Sequence, residues 1–138
     1  MSLVLDSSAT LAWVYGYETT DAIRQVFEAV ADDGVFVPAL WRLEAGNSLA
    51  IAIRRNRIDT EFRRAALADL ALLDIRTDPQ TESNAWSDAL ALADRFRLNL
   101  YDAAYLELAH RRRLPLATLD GEMRAAGALL GVPLLGSI

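Results

Sequence analysis

Four acids in this chain stand where the local pattern lets them meet. Asp6 closes the apolar run Leu3-Val4-Leu5, and Asp120 closes a second, Leu116-Ala117-Thr118-Leu119. Glu44 lies inside a helical stretch running from Trp41 to Leu49, and Asp102 opens another in Tyr101-Asp102-Ala103-Ala104-Tyr105-Leu106. Two acids at strand ends and two on helices converge on one crevice only if strand and helix tips meet there. Four carboxylates held together repel strongly unless cations neutralise them. The pattern therefore points to a divalent-metal site.

The elements that must position these acids can be read from the pattern. A strand is expected at about 3–6, then helices at 8–16 and 20–32, a short strand Val35-Phe36-Val37 and a long helix from about 39 to 55. Leu40, Leu43, Ala50 and Ile51 recur on that helix at helical spacing. Asp59 suits the N-cap of the next helix, which runs to about 72. A weak strand near Leu73-Asp74-Ile75-Arg76, helices at roughly 81–96 and 101–112, a strand Leu116–Thr118, a helix at 120–130 and a last strand Val132–Leu135 complete the chain. Short apolar strands alternate with helices and no hairpin signals join them. The expectation is an α/β fold, with a short parallel central sheet flanked by about seven helices, in one domain spanning 1–138. Ligands of such sheets bind beyond the carboxyl ends of the strands, at a switch point in strand order. Asp6 and Asp120 both occupy carboxyl ends.

Composition removes several mechanisms. The chain of 138 residues has no cysteine, which excludes disulfides, thiolate metal sites and a Cys nucleophile. All 14 basic residues are arginine, and without lysine neither a P-loop nor a receiver-type phosphoacceptor site can form. His110 is the only histidine, so there is no His pair for acid–base cleavage of RNA through the 2′-hydroxyl. No apolar stretch approaches the ~20 residues that span a bilayer, and Met1 runs straight into a strand rather than a signal peptide. A cytoplasmic, non-membrane protein is expected. The net charge of −5 argues against a generic nucleic-acid-binding surface, although two bound divalent cations would offset most of it locally.

Each acid also has a structural reading. An Asp before a helix is commonly an N-cap, which covers Asp6 and Asp120. Asp102 could complement a helix dipole from the first turn. Glu44 shares a face with Asn47 and Ser48, a polar strip on an otherwise apolar helix, and an exposed face is the alternative there. Arg54, Arg55 and Arg57 end a helix, as do His110 and Arg111-Arg112-Arg113, and dipole complementation accounts for both groups. The Arg54–Arg57 turn could instead track RNA phosphates or meet an acidic segment of a partner. Trp13, Tyr15 and Tyr17 are core candidates that could also form a dimer or partner surface.

The same acids carry a resemblance. Asp6-Ser7-Ser8, Glu44 with Asn47, Tyr101-Asp102-Ala103-Ala104-Tyr105 and Ala117-Thr118-Leu119-Asp120 resemble the four signature segments of PIN-domain ribonucleases, and most of all the VapC-type toxins of toxin–antitoxin pairs. The likeness runs from Leu3 to about Leu135 in the family's order. It implies that Asp6, Glu44, Asp102 and Asp120 hold one or two Mg²⁺ or Mn²⁺ ions and hydrolyse RNA, leaving 5′-phosphate and 3′-hydroxyl ends. It gives Ser8 and Thr118 assisting roles, and it places Glu122 where the family is often acidic and could reach a second metal through water. Met123 falls where many relatives carry an aromatic. A homodimer and a small DNA-binding antitoxin are further implied. The alternatives are a catalytically inactive PIN-like binding module and a metal-dependent small-molecule phosphatase. A phosphatase of the haloacid dehalogenase type needs an acid two residues after its nucleophilic Asp, where this chain has Ser8.

Overall fold

The computed structural model describes residues 2–137, the side chain of Tyr17 excepted, so the expectation for that side chain lies outside what is described. Its five strands are β1 (Leu3–Leu5), β2 (Val35–Val37), β3 (Ile75–Thr77), β4 (Leu116–Ala117) and β5 (Leu134–Leu135). Its helices are α1 (Ser7–Val14), α2 (Asp21–Asp33), α3 (Trp41–Arg54), α4 (Thr60–Ala71), α5 (Thr81–Ala85), α6 (Asp88–Phe96), α7 (Leu100–Arg112) and α8 (Gly121–Leu130), with a 3₁₀ turn at Gly16–Glu18. The strands form one parallel sheet in the order β3-β2-β1-β4-β5.

Burial explains why these short runs become strands. Leu3, Val4 and Leu5 are all buried, as a strand covered on both faces requires. Helix α2 packs Ile23, Val26, Phe27 and Val30 into the core at i, i+3, i+4, i+7 spacing. Each such side chain contributes roughly 1.5–3 kcal/mol over its exposed state. Phe27 stacks on Trp13 of α1, with ring centroids 4.5 Å apart. Helix α2 stops at Gly34, whose positive φ of 75° and close approach to Asp74 leave no room for a Cβ. Asp59 caps α4 through Phe62 N–H, as its position in the sequence suggests.

Two features depart from expectation. The helix expected over 81–96 is broken at Trp86–Ser87, giving eight helices among the described residues where about seven were expected. The Asn84 side chain donates to the Gln80 carbonyl at 2.9 Å, and Ser87 adopts a non-helical backbone. Such side-chain bonds compete with continuation of the ladder. The arginines at the end of α7 also do more than complement a dipole. Arg111 bridges Glu107 and the fully buried carboxylate of Asp78, and Arg112 bonds Asp78 while lying over the Phe36 ring. This network ties the end of β3 to the end of α7.

The topology fixes where a site can form. From β1 the chain moves outward through β2 and β3 on one side, and through β4 and β5 on the other. The switch point therefore lies at the carboxyl ends of β1 and β4, beside Asp6 and Asp120.

Candidate active site

Asp6 leaves β1 in extended backbone and caps α1. Its Oδ1 accepts the Ser8 N–H, the Ser8 hydroxyl at 2.6 Å and the Ala9 N–H at 3.3 Å. Its Oδ2 accepts the buried Thr118 hydroxyl at 2.6 Å. Thr118 Oγ1 in turn accepts the Asp120 N–H at 3.1 Å, and Ser8 Oγ accepts the Leu119 N–H at 3.0 Å. Asp120 caps α8 by accepting the Met123 N–H at 3.0 Å. The capping reading of both aspartates thus holds. It leaves room for other roles, because Asp6 Oδ2 carries a single hydrogen bond and Asp120 caps through Oδ2 alone.

Glu44 and Asp102 come from helices. Helix α3 is fixed one turn before Glu44, where Trp41 Nε1 donates to Thr10 Oγ1 at 3.1 Å and Thr10 donates to the Asp6 carbonyl at 2.9 Å. The half-buried Glu44 accepts the Tyr105 phenol at 2.6 Å through Oε1. Asp102 is half-buried in the first turn of α7, its N–H held by the cap residue Asn99 at 2.8 Å. Tyr105 follows Asp102 by one turn, so α7 delivers one acid and orients another.

The electrostatics show that the four acids share one neighbourhood. The Asp102 carboxyl is pushed up to about 6, first by burial and then by the charges of Asp120, Asp6, Glu44 and Glu122. Burial raises Asp6 as well, against the lowering effect of its hydrogen bonds from Ser8 and Thr118. Glu44 is raised by burial and by Asp6, against the lowering effect of the Tyr105 bond. Like charges packed into a half-buried crevice hold protons that isolated carboxyls release near 4.

The remaining sequence candidates separate into two groups. Ser8 and Thr118 lie inside the hydrogen-bonded frame of Asp6 and Asp120. Glu122 is exposed on α8 yet close enough to act on Asp102. Asn47 is exposed one turn beyond Glu44, and among the described residues its side chain makes no hydrogen bond. Met123 is fully buried beneath α8. Arg54, Arg55 and Arg57 are exposed at the far end of α3, about 15 Å along the axis from Glu44 at 1.5 Å per residue. Asn56 takes a positive φ of 56° there and ends the helix. His110 and Arg113 are exposed at the end of α7, away from the acids. Tyr105 was not among the sequence candidates. Its spacing of one turn from Asp102 was the available signal, and its apolar neighbours masked it.

The donor set suits a hard cation. It consists of carboxylate and hydroxyl oxygens, which favour Mg²⁺, Mn²⁺ or Ca²⁺ over soft metals. A divalent ion among these acids would offset the like-charge repulsion that adds to burial in raising Asp102. Among the described residues no three acids close round one point as a finished ligand cage. Three exposed side chains flank the acids in sequence: Leu43 beside Glu44, Tyr101 beside Asp102 and Leu119 beside Asp120.

Comparison with known proteins agrees with the fold. The sequence profile of the PIN domain matches residues 3–129. The crystal structure of PAE2754 from Pyrobaculum aerophilum superposes with a TM-score of 0.68 at 23% identity, covering 95% of this chain and 93% of that one. No curated protein matches the sequence.

Proposed function

The chain belongs to the PIN-domain family, and from that premise we propose that it is a divalent-metal-dependent endoribonuclease, the toxin of a type II toxin–antitoxin pair. The PIN fold is generally that of a metal-dependent nuclease. What supports the reading is that the acids following β1 and β4 lie near those of α3 and α7 at the switch point of a parallel sheet, close enough for their charges to act on one another.

Asp6, Glu44, Asp102 and Asp120 are the residues that would hold one or two Mg²⁺ or Mn²⁺ ions. Bound there, such ions lower the pKa of a water and stabilise charge on a scissile phosphate. The chain's own part is to hold the acids together and aimed. Thr118 and Ser8 fix both oxygens of Asp6 and the backbone entering Asp120, so the carboxylates need no reorganisation when substrate arrives. Tyr101, largely exposed beside Asp102, offers an aromatic face to an unpaired base. Glu122 extends the acidic field on the α8 side.

The partner part of the reading is supported by apolar surface. A groove between α3 and α4 is lined by Trp41, Ala45, Leu67, Leu70, Leu73 and Ile75, and Leu72 next to it is exposed. Such a surface suits an antitoxin helix or a second copy of the chain. No helix among the described residues is long and apolar enough to cross a membrane.

Incubation with single-stranded RNA and with a small phosphate monoester, each with Mg²⁺ and with EDTA, tests the activity. Mg²⁺-dependent RNA cleavage with little monoester hydrolysis is expected. Hydrolysis of the monoester alone would favour a phosphatase, and inertness towards both would favour a binding module. A short neighbouring reading frame whose product binds this protein and DNA would establish the toxin role.

A further inference from the structure

We propose that Tyr105 is a positioning residue that commits one oxygen of Glu44 and so biases the acidic site towards small octahedral cations over Ca²⁺. The inference rests on the metal-dependent reading above and concerns what this chain adds to it.

Two observations carry it. Tyr105 is 1% exposed, yet its hydroxyl reaches across from α7 to Glu44 Oε1 at 2.6 Å. A phenol carries its proton at neutral pH, so this short bond is donated by Tyr105 and accepted by the carboxylate. Helix α3 is pinned a second time one turn earlier, through Trp41 and Thr10 to the Asp6 carbonyl, which fixes the backbone from which Glu44 reaches its partner.

The consequence follows from carboxylate geometry. Glu44 meets the acidic crevice with Oε1 already accepting a short bond, and Oε2 is the oxygen without that commitment. Ca²⁺ takes six to eight oxygens and often chelates a carboxylate through both, whereas Mg²⁺ and Mn²⁺ accept single oxygens in a tight octahedron. Chelation through both oxygens would turn Glu44 away from the phenol. Single-oxygen ligation keeps the bond. Tyr105 therefore favours the smaller ions without touching them, as hydrogen bonds to ligating carboxylates do elsewhere.

The test is binding. Mn²⁺ affinity is read by paramagnetic resonance of free Mn²⁺, and Ca²⁺ affinity by competition, on the wild-type protein, Tyr105→Phe, Glu44→Gln and the double variant. Thermal midpoints in EDTA are measured alongside. Tyr105→Phe should keep its midpoint close to wild type, weaken Mn²⁺ about tenfold and weaken Ca²⁺ less, so the Mn²⁺-to-Ca²⁺ preference falls. In the Glu44→Gln background the same change should leave the preference where it was. An unchanged preference in Tyr105→Phe, with the wild type binding normally, overturns this inference alone. An equal fall with and without Glu44 does so too. A wild-type protein that binds neither ion overturns the metal-dependent reading and this inference with it.

Discussion

The hydroxyl of Thr118 lies 2.6 Å from Asp6 Oδ2 and accepts the Asp120 N–H at 3.1 Å, so a single buried group joins the acids that follow two adjacent strands. Thr118 is fully buried, and these two bonds satisfy its hydroxyl as donor and as acceptor.

Thr118→Val keeps the shape and removes both bonds. The variant should lose about 1–3 kcal/mol of stability, since the Asp120 N–H and one Asp6 oxygen are left short of partners. Cleavage should fall further than stability accounts for, and Thr118→Ser should restore most of both. Urea denaturation beside a cleavage assay checks this, and equal activity in Val and Ser variants would remove Thr118 from the site's frame.

The crowded acids predict an unusual pH response in the metal-free protein. Asp102 titrates at about 6 in the folded state, well above its ordinary 3.8, and Asp6 and Glu44 are raised too. The folded state therefore binds more protons than the unfolded chain over this range. Stability in EDTA should be highest towards about pH 4–5 and decline as pH rises through about 6. Saturating Mg²⁺ should flatten that decline, and cation affinity should weaken below about pH 6. Asp78 acts in the opposite sense: its arginine partners hold it below the usual range, so its contribution is lost only as pH falls below about 4. Thermal melts across pH with EDTA or Mg²⁺ measure both trends.

The network at Asp78 lends itself to a control. Asp78→Asn leaves Arg111 and Arg112 without their shared buried carboxylate and should cost about 3 kcal/mol. Mn²⁺ affinity should be unaffected at temperatures where the variant stays folded. A loss of affinity matching that of an active-site acid would extend the site to this network.

How much of this was legible in the sequence differs from residue to residue. Asp6 and Asp120 stood out because each closes an apolar run, and in a parallel sheet that places them at adjacent strand ends. Glu44 stood out as a charge within an otherwise apolar helix. Tyr105 did not, because a phenol among Ala103, Ala104, Leu106 and Leu108 reads as core until its partner 61 residues away is placed beside it. The pairing of Arg111 with Asp78 spans 33 residues and left no local periodic signal, so a helix-end role looked sufficient. The break at Trp86 was hidden because Ala85, Ala89 and Leu92 maintain a helical pattern across it, while Asn84 and Ser87 turn the backbone.

The Arg54–Arg57 turn separates two roles by salt dependence. If Arg54, Arg55 and Arg57 guide RNA, changing all three to Gln in a catalytically silent Asp102→Asn background should weaken RNA binding and flatten its slope against salt. If they serve the helix terminus, about 1 kcal/mol of stability should be lost and RNA affinity should hold. Their exposure some 15 Å along α3 from Glu44 suits the outer path of a longer strand. Parallel slopes would leave a partner or the fold as their role.

The most direct test of the central claim is cleavage of one end-labelled single-stranded RNA by wild type and Asp6→Asn, with Mg²⁺, after exhaustive chelation, and after Mg²⁺ is returned. Asp6→Asn keeps the side chain's shape and removes a charge from the cluster; relief of repulsion offsets the accepted bonds that an amide nitrogen cannot make, so metal-free stability should hold close to wild type. The account predicts that wild type cleaves with Mg²⁺, stops on chelation and recovers on readdition, while Asp6→Asn stays folded and inactive throughout. Undiminished cleavage by the chelated wild type, or full activity in Asp6→Asn, would contradict it.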